Sequence, residues 1–182
     1  AFLQEQIDEI ANAIEAAKAD KDQAVSITEL ETTRDPTKEY MGSAADGKQK
    51  DDVVDFSELG TDALFVDEGH EYKNLFYATS MQGMAIKGSQ KAFDLFVKSR
   101  YTQRLNNGKG VFFATGTPIS NTMAEMYTMQ RYLQYDALKS RGLAHFDAWA
   151  NVFGSIVTNW ELDATGVNYK LNSRFAKFVN MP

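Results

Sequence analysis

The sequence predicts an α/β fold in which two parallel strands flank a helix. Two short apolar runs, at 63–66 and 111–114, lack the alternation of half-exposed strands and are typical of strands buried on both faces of a parallel sheet. Between them, apolar residues recur at helical spacing over 92–105, with Ser89 as a candidate N-cap and Asn-Asn-Gly at 106–108 as a stop. A strand, a helix and a second strand in this order predict a βαβ unit.

The first 55 residues are predicted to form an acidic region of helices and loops. Apolar residues recur there at three- and four-residue steps, which indicates an amphipathic helix that has to pack its apolar stripe against another element. The residues of the stripe are Leu3, Ile7, Ile10, Ile14 and Ala17. The polar stretch at 22–58 contains one proline and two glycines, which predicts short helical pieces joined by loops, with a turn from Asp55 that ends at Gly60.

Three further elements are predicted after the second strand. A helix begins near Thr122, which could form a capping box with Glu125. Another helix covers about 145–153, and two β-prone stretches over 155–171 predict a hairpin that turns at Ala-Thr-Gly. We therefore divide the chain into a helical and loop region at 1–55, a core at 56–140, and an appendage of helix and hairpin at 141–182.

Composition limits the classes of protein that this chain can represent. A length of 182 residues suits one domain, and the absence of cysteine excludes disulfides and thiolate metal sites. The sequence has no apolar run of about 18 residues and no signal-peptide pattern, so we expect neither a membrane span nor secretion. Because the chain starts at Ala1 rather than at a methionine, we expect it to be a piece of a longer protein.

Charge is distributed unevenly along the chain. Residues 1–68 hold 18 acidic and 6 basic residues, a net charge of −12, whereas residues 69–182 hold 7 acidic and 13 basic residues, a net charge of +6. Such asymmetry can mark a surface that faces a polyanion, and Lys91, Lys98 and Arg104 are the candidate nucleic-acid contacts. The alternative is an ordinary solvated helix face.

The strongest chemical motif is the stretch Leu-Phe-Val-Asp-Glu-Gly-His at 64–70. Nucleotide hydrolysis needs one carboxylate that positions Mg²⁺ and a second group that orients or deprotonates water. An apolar strand that ends in Asp67 and Glu68 supplies both groups at its carboxyl end, where open α/β sheets bind ligands. The alternative is a strand that is followed by an acidic turn without chemistry.

A second motif, Phe-Phe-Ala-Thr-Gly-Thr-Pro-Ile-Ser-Asn at 112–121, follows the second strand. Gly116 permits a tight turn, Pro118 favours a helix start, and Ser120 or the next asparagine could cap that helix. We expect the hydroxyls of Thr115 and Thr117 to lie beside the two carboxylates, at the ends of adjacent strands. The alternative is a strand-to-helix turn with no further role.

Together the two motifs resemble motifs II and III of superfamily 2 helicases, in the Swi/Snf-like branch. The stretch FATGTPISNTMAEMYTMQRYL at 113–133 is similar to large helicase/methylase proteins of bacterial phages, plasmids and conjugative elements. The resemblance is strong over about 56–135 and weaker elsewhere. It implies a partial RecA-like, three-layer domain of the P-loop NTPase type, ATP hydrolysis, movement on DNA and a location in the bacterial cytoplasm.

The resemblance also implies roles for individual residues. Asp67 would hold Mg²⁺ through water, and Glu68 would be the catalytic base. His70 and the three residues Thr115, Gly116 and Thr117 would couple hydrolysis to motion. The cofactors of the complete protein would be Mg²⁺ and ATP, and its partners would be DNA and the rest of the polypeptide, including a second motor domain.

Two features depart from the family pattern. The usual box has alanine where this chain has Gly69, which is expected to loosen the turn after the carboxylates. A phosphate loop of the form G-x-x-x-x-G-K-[ST] is also missing. The stretch at 42–49 matches it until Gln49 and follows no apolar strand, so we interpret it as a coincidental loop.

We therefore expect a fragment of an ATP-dependent DNA helicase or translocase that is inactive by itself. The alternative function is a non-catalytic interaction or scaffold module derived from a degenerate motor domain. The remaining candidates are expected to be structural: a histidine that flanks its helix (His145), methionines that pack in the core, and Trp149 and Trp160 as core or hairpin anchors that could instead stack on bases.

Overall fold

The computed structural model describes residues 56–79, 81, 84, 86, 88–120, 122–162 and 168–179. The predicted amphipathic helix of the first 20 residues and the glycine loop at 42–49 lie outside these residues. The described part is mixed α/β and contains a two-stranded parallel sheet, a two-stranded antiparallel hairpin and three α-helices.

The predicted βαβ unit is confirmed. Strand β1 (Leu64–Val66) pairs in parallel with β2 (Val111–Phe113), and helix α1 (Gln90–Leu105) connects them. The helix begins as the sequence predicts, because the side chain of Ser89 accepts a hydrogen bond from the backbone N–H of Ala92 at 3.2 Å. A short 3-10 helix over Phe56–Leu59 precedes β1 and ends at a glycine with positive φ, where the sequence placed a turn.

The prediction that both strands are buried on both faces is wrong for the described residues. Val66 lies in the core, whereas the side chain of Phe65 is 75% exposed and that of Phe112 is 51% exposed. The two rings stack on each other with centroids 4.7 Å apart. Helix α1 and the helix after β2 pack on one face of the sheet, and no described element covers the other face.

Helix α2 (Ala124–Ser140) starts later than the sequence predicts. Its N-cap is Met123, so Pro118 does not open the helix and Ser120 does not cap it. The N–H of Ser120 donates to the carboxylate of Glu125 at 2.6 Å. The predicted capping box does not form, because the side chain of Thr122 accepts from the N–H of Ala124 and the carboxylate of Glu125 is taken by Ser120.

Helix α2 holds the described part together because it contributes to two apolar clusters. Tyr127 and Leu138 pack in one cluster with Trp149, and Tyr132 and Tyr135 pack in the other, which lies under the parallel sheet. The hydroxyl of buried Tyr132 donates to the backbone carbonyl of Ala92 at 2.7 Å. It also lies 3.1 Å from the backbone carbonyl of Tyr72. Burial raises the pKa of Tyr132 well above its usual value, so this hydroxyl stays a donor.

The C-terminal part consists of helix α3 (Phe146–Phe153), strand β3 (Gly154–Leu162) and strand β4 (Tyr169–Phe178). The two strands are antiparallel, as the sequence predicts, and their register shifts once between Ser155 and Ile156. The two tryptophans differ: Trp149 is fully buried and donates to the side chain of Gln130 at 2.6 Å, whereas Trp160 is exposed on the hairpin.

Candidate active site

The two sequence motifs meet at one edge of the parallel sheet. Val66 is paired with Phe113, so the residues that follow them leave the carboxyl ends of adjacent parallel strands. Backbone hydrogen bonds continue the pairing beyond both strands, from Ala114 N to the carbonyl of Val66 at 2.9 Å and from Gly69 N to the carbonyl of Ala114 at 3.0 Å. We name the two segments the acidic turn (residues 67–73) and the threonine loop (residues 114–120).

The acidic turn presents three exposed carboxylates, those of Asp67, Glu68 and Glu71, and its backbone is strained at Glu68. Glu68 has φ 50° and ψ 47°, in the left-handed region, where a residue of this type costs roughly 1–2 kcal/mol. Its N–H donates to Oδ1 of Asp67 at 2.9 Å, which orients that carboxylate. Strain at a polar, exposed position is typical of functional sites, where the surrounding structure maintains it.

His70 connects the acidic turn to the threonine loop. Its Nδ1 lies 3.0 Å from Oγ1 of Thr115 and 3.2 Å from Oε2 of Glu68, and its Nε2 lies 3.7 Å from Oε1 of Glu71. The half-buried imidazole therefore contacts the candidate base and the loop of the neighbouring strand at the same time.

The threonine loop turns back on itself after Thr115. The N–H of Thr117 donates to Oγ1 of Thr115 at 3.2 Å, and the residues from Gly116 to Ser120 are exposed. The structure thus brings Asp67, Glu68, His70 and Thr115 together, with Gly116 and Thr117 on the exposed side of the same loop.

Gly69 allows the acidic turn to lie close to strand β2. It does not loosen the turn, contrary to the prediction from the sequence. The residue is buried, and a Cβ atom there would lie 2.7 Å from Cδ2 of Phe113 on strand β2. The glycine therefore lets the acidic turn sit directly on the ring of the neighbouring strand.

Sequence reasoning missed a cluster that ties the two segments together. Nζ of Lys73 lies 3.3 Å from Oε1 of Glu125, and it also donates to Oγ of Ser120. The sequence does show a lysine three residues after His70 and an acidic residue in the first turn of α2, which could have suggested an ion pair. Only the fold shows that these residues meet.

The candidate nucleic-acid contacts on α1 differ in their surroundings. Lys91 pairs with Glu71 at 3.1 Å, and Lys98 pairs with Asp94 at 2.6 Å within the helix. Arg104 lies exposed in the last turn. The hydrogen bond and charge of Lys91 lower the pKa of Glu71, so this link between the acidic turn and α1 is lost as the pH falls through that lowered pKa.

The donor set fits a Mg²⁺ ion that keeps most of its own water. Among the described residues, no group of three or more His, Cys, Asp or Glu side chains could hold a metal ion as a closed cage. Magnesium in nucleotide sites is bound by one or two carboxylates together with phosphates and waters, and exposed Asp67 supplies such a ligand. A phosphate cradle of backbone amides would have to come from outside the described residues.

The described part is thus a mixed α/β protein in which an acidic turn and a threonine loop leave the carboxyl ends of adjacent parallel strands, the edge at which open α/β sheets bind ligands. A family model described as "Probable helicase domain" matches residues 1–182, and the chain belongs to this family. The chain is also 29% identical over 105 residues to Defense against restriction protein B of Escherichia phage P1. This match covers 54% of the chain but 5% of the phage protein. No solved structure matches.

None of the described helices is both long enough and apolar enough to cross a membrane.

Proposed function

We propose that this chain is part of an ATP-dependent DNA helicase or translocase of superfamily 2, in the Swi/Snf-like branch. It would form part of a RecA-like three-layer domain and supply the carboxylates of the Mg-ATP site together with the coupling motif. The observation that carries the proposal is the contact between the two motifs: His70 lies within 3.2 Å of both Glu68 and Thr115, across adjacent parallel strands.

Each residue has a role that its position supports. Asp67 would hold Mg²⁺ through water, since its carboxylate is exposed at the strand end. Glu68 would accept a proton from the attacking water, because its carboxylate is exposed and its Oε2 lies 3.2 Å from Nδ1 of His70. When bound, Mg²⁺ neutralises charge on the phosphates. His70 would transmit a change at Glu68 to Thr115, and through it to Gly116 and Thr117.

The chain by itself would be inactive, because the described residues contain no phosphate cradle and a motor needs a second domain. DNA would be the partner of the complete protein, with Lys91, Lys98 and Arg104 as candidate contacts on α1. The alternative, a scaffold module that has lost catalysis, predicts that the two carboxylates can be replaced without consequence.

Replacing Asp67 tests the assignment of the metal ligand. In the full-length protein that carries this chain, we expect Asp67→Asn to abolish ATP hydrolysis and to weaken the Mg²⁺ dependence of ATP binding. The matched control is Asp62→Asn, because Asp62 is an exposed acid just before the start of the same strand. Equal hydrolysis in both variants would remove Asp67 from the site and favour the scaffold function.

A further inference from the structure

We propose that Lys73 and Glu125 are positioning residues that hold the threonine loop against the acidic turn. The proposal rests on the proposed function, because the threonine loop is the element that would relay hydrolysis to motion. The residues Lys73, Glu125 and Ser120 are called the anchor below.

The anchor is an ion pair with a shared partner. The Glu125 carboxylate accepts from the N–H of Ser120 at 2.6 Å through Oε2 and lies 3.3 Å from Nζ of Lys73 through Oε1. The lysine ammonium also donates to Oγ of Ser120. The side chains of Lys73 and Glu125 are only 18% and 8% exposed, so water screens their interaction weakly.

The anchor and the His70 contact hold opposite ends of the threonine loop. His70 contacts Thr115 at the beginning of the loop, and Lys73 contacts Ser120 at its end. His70 lies in a 3-10 turn that Lys73 terminates, and the N–H of Lys73 donates to the carbonyl of His70 at 3.2 Å. Side chains three residues apart in such a turn project on the same side. One turn therefore fixes both ends of the loop and leaves its middle exposed.

This arrangement favours a positioning role over a simple gain in stability. A buried ion pair contributes little net stability compared with well-packed neutral residues, but it specifies one geometry. Removing the lysine leaves the largely buried carboxylate of Glu125 without its cation, whereas neutralising both side chains leaves no charge there. Single and double neutral variants therefore separate a loss of stability from a loss of geometry.

The experiment compares four variants of the full-length protein: Lys73→Met, Lys73→Met with Glu125→Gln, Lys73→Arg, and Arg141→Met as the control. Arg141 is an exposed base at the opposite end of α2, so its replacement removes the same charge without touching the anchor. The measurements are kcat and KM for DNA-stimulated ATP hydrolysis and hydrogen exchange of residues 114–120.

We expect Lys73→Met to lower kcat by about 10–100-fold with an unchanged KM for ATP, because a small misplacement far from the chemistry has this effect. The double variant should stay as slow, Lys73→Arg should recover most of the rate, and Arg141→Met should resemble the unchanged protein. Exchange should rise in the threonine loop of both Met-containing anchor variants and not across the rest of the chain.

Two results would overturn the proposal. Recovery of kcat in the double variant would show that the pair matters only for stability, and unchanged exchange in the threonine loop would show that the anchor does not hold it. Failure of the proposed function has a different signature, since the unchanged protein would then not hydrolyse ATP. The exchange measurement would still decide whether the anchor exists.

Discussion

Glu68 has a strained backbone, and the same backbone conformation brings its carboxylate into contact with His70. Its left-handed conformation places the side chain 3.2 Å from Nδ1 of the imidazole while Asp67 receives its N–H. The neighbouring Gly69 allows this geometry because it lies against the ring of Phe113 with no room for a Cβ atom. The acidic turn is therefore shaped for contact with β2 at the expense of local stability.

The strain at Glu68 predicts that its replacement stabilises the fold. Asparagine adopts the left-handed region more readily than glutamate, so Glu68→Asn should raise the free energy of unfolding by up to about 1 kcal/mol. Chemical denaturation measures the change. Glu58→Asn, at an exposed acid outside the left-handed region, should give no gain. A loss of stability in Glu68→Asn would mean that the turn is not strained.

The close contact between Gly69 and the ring of Phe113 predicts that alanine at this position destabilises the fold. Gly69→Ala, which restores the more usual residue of the box, should lower the free energy of unfolding by about 1–3 kcal/mol because the methyl group meets the Phe113 ring. Gly116→Ala is the matched control, since a Cβ atom there would have no neighbour within 4 Å. Equal denaturation midpoints for the two variants would contradict the packing.

At the scale of elements, the sequence predicted the strands and helix ends that depend on residues close together in the chain. The apolar runs, Ser89 and the Asn-Asn-Gly stop specify the βαβ unit. The predicted position of Asp67 and Thr115 at the carboxyl ends of neighbouring parallel strands follows from it. The late start of α2 was not predictable, because the carboxylate of Glu125 takes the N–H of Ser120 through a contact that also involves Lys73. The exposed sheet face was missed since an apolar run does not say which elements cover it.

The ion pairs that the lysine side chains of α1 form allow a more specific prediction about DNA binding. Arg104→Glu in the full-length protein should weaken DNA binding and reduce the log–log salt slope by about 0.9, the value for one lost phosphate contact on duplex. Lys98→Glu should change the slope less, because Asp94 already opposes the charge of Lys98. Binding titrations at several salt concentrations measure both. An unchanged slope in Arg104→Glu would identify α1 as a solvated face.

At the scale of the whole molecule, the proposed site is open to solvent at one edge of the parallel sheet. The acidic turn and the threonine loop are exposed at the sheet edge, and the aromatic pair Phe65 and Phe112 is exposed on one face of the sheet. The chain also covers 5% of the phage relative that it matches. These features agree with a segment that acts within a longer polypeptide.

The isolated chain should accordingly release no phosphate from ATP, with or without DNA. The reason is that binding of the phosphates needs amide and lysine donors that the described residues do not assemble into a cradle. A phosphate-release assay on the 182-residue chain measures this. Turnover above background that disappears in a Glu68→Gln variant would show that the chain is a complete enzyme.

The most direct test of the central claim separates ATP hydrolysis from ATP binding in the full-length protein. We predict that Glu68→Gln lowers hydrolysis by about 10²–10⁴-fold, the usual contribution of a general base, while the affinity for ATP is retained. Glu58→Gln, the same change at an exposed acid before β1, should leave both quantities unchanged. A loss of less than about tenfold in Glu68→Gln would contradict the assignment of Glu68 as the water-activating carboxylate.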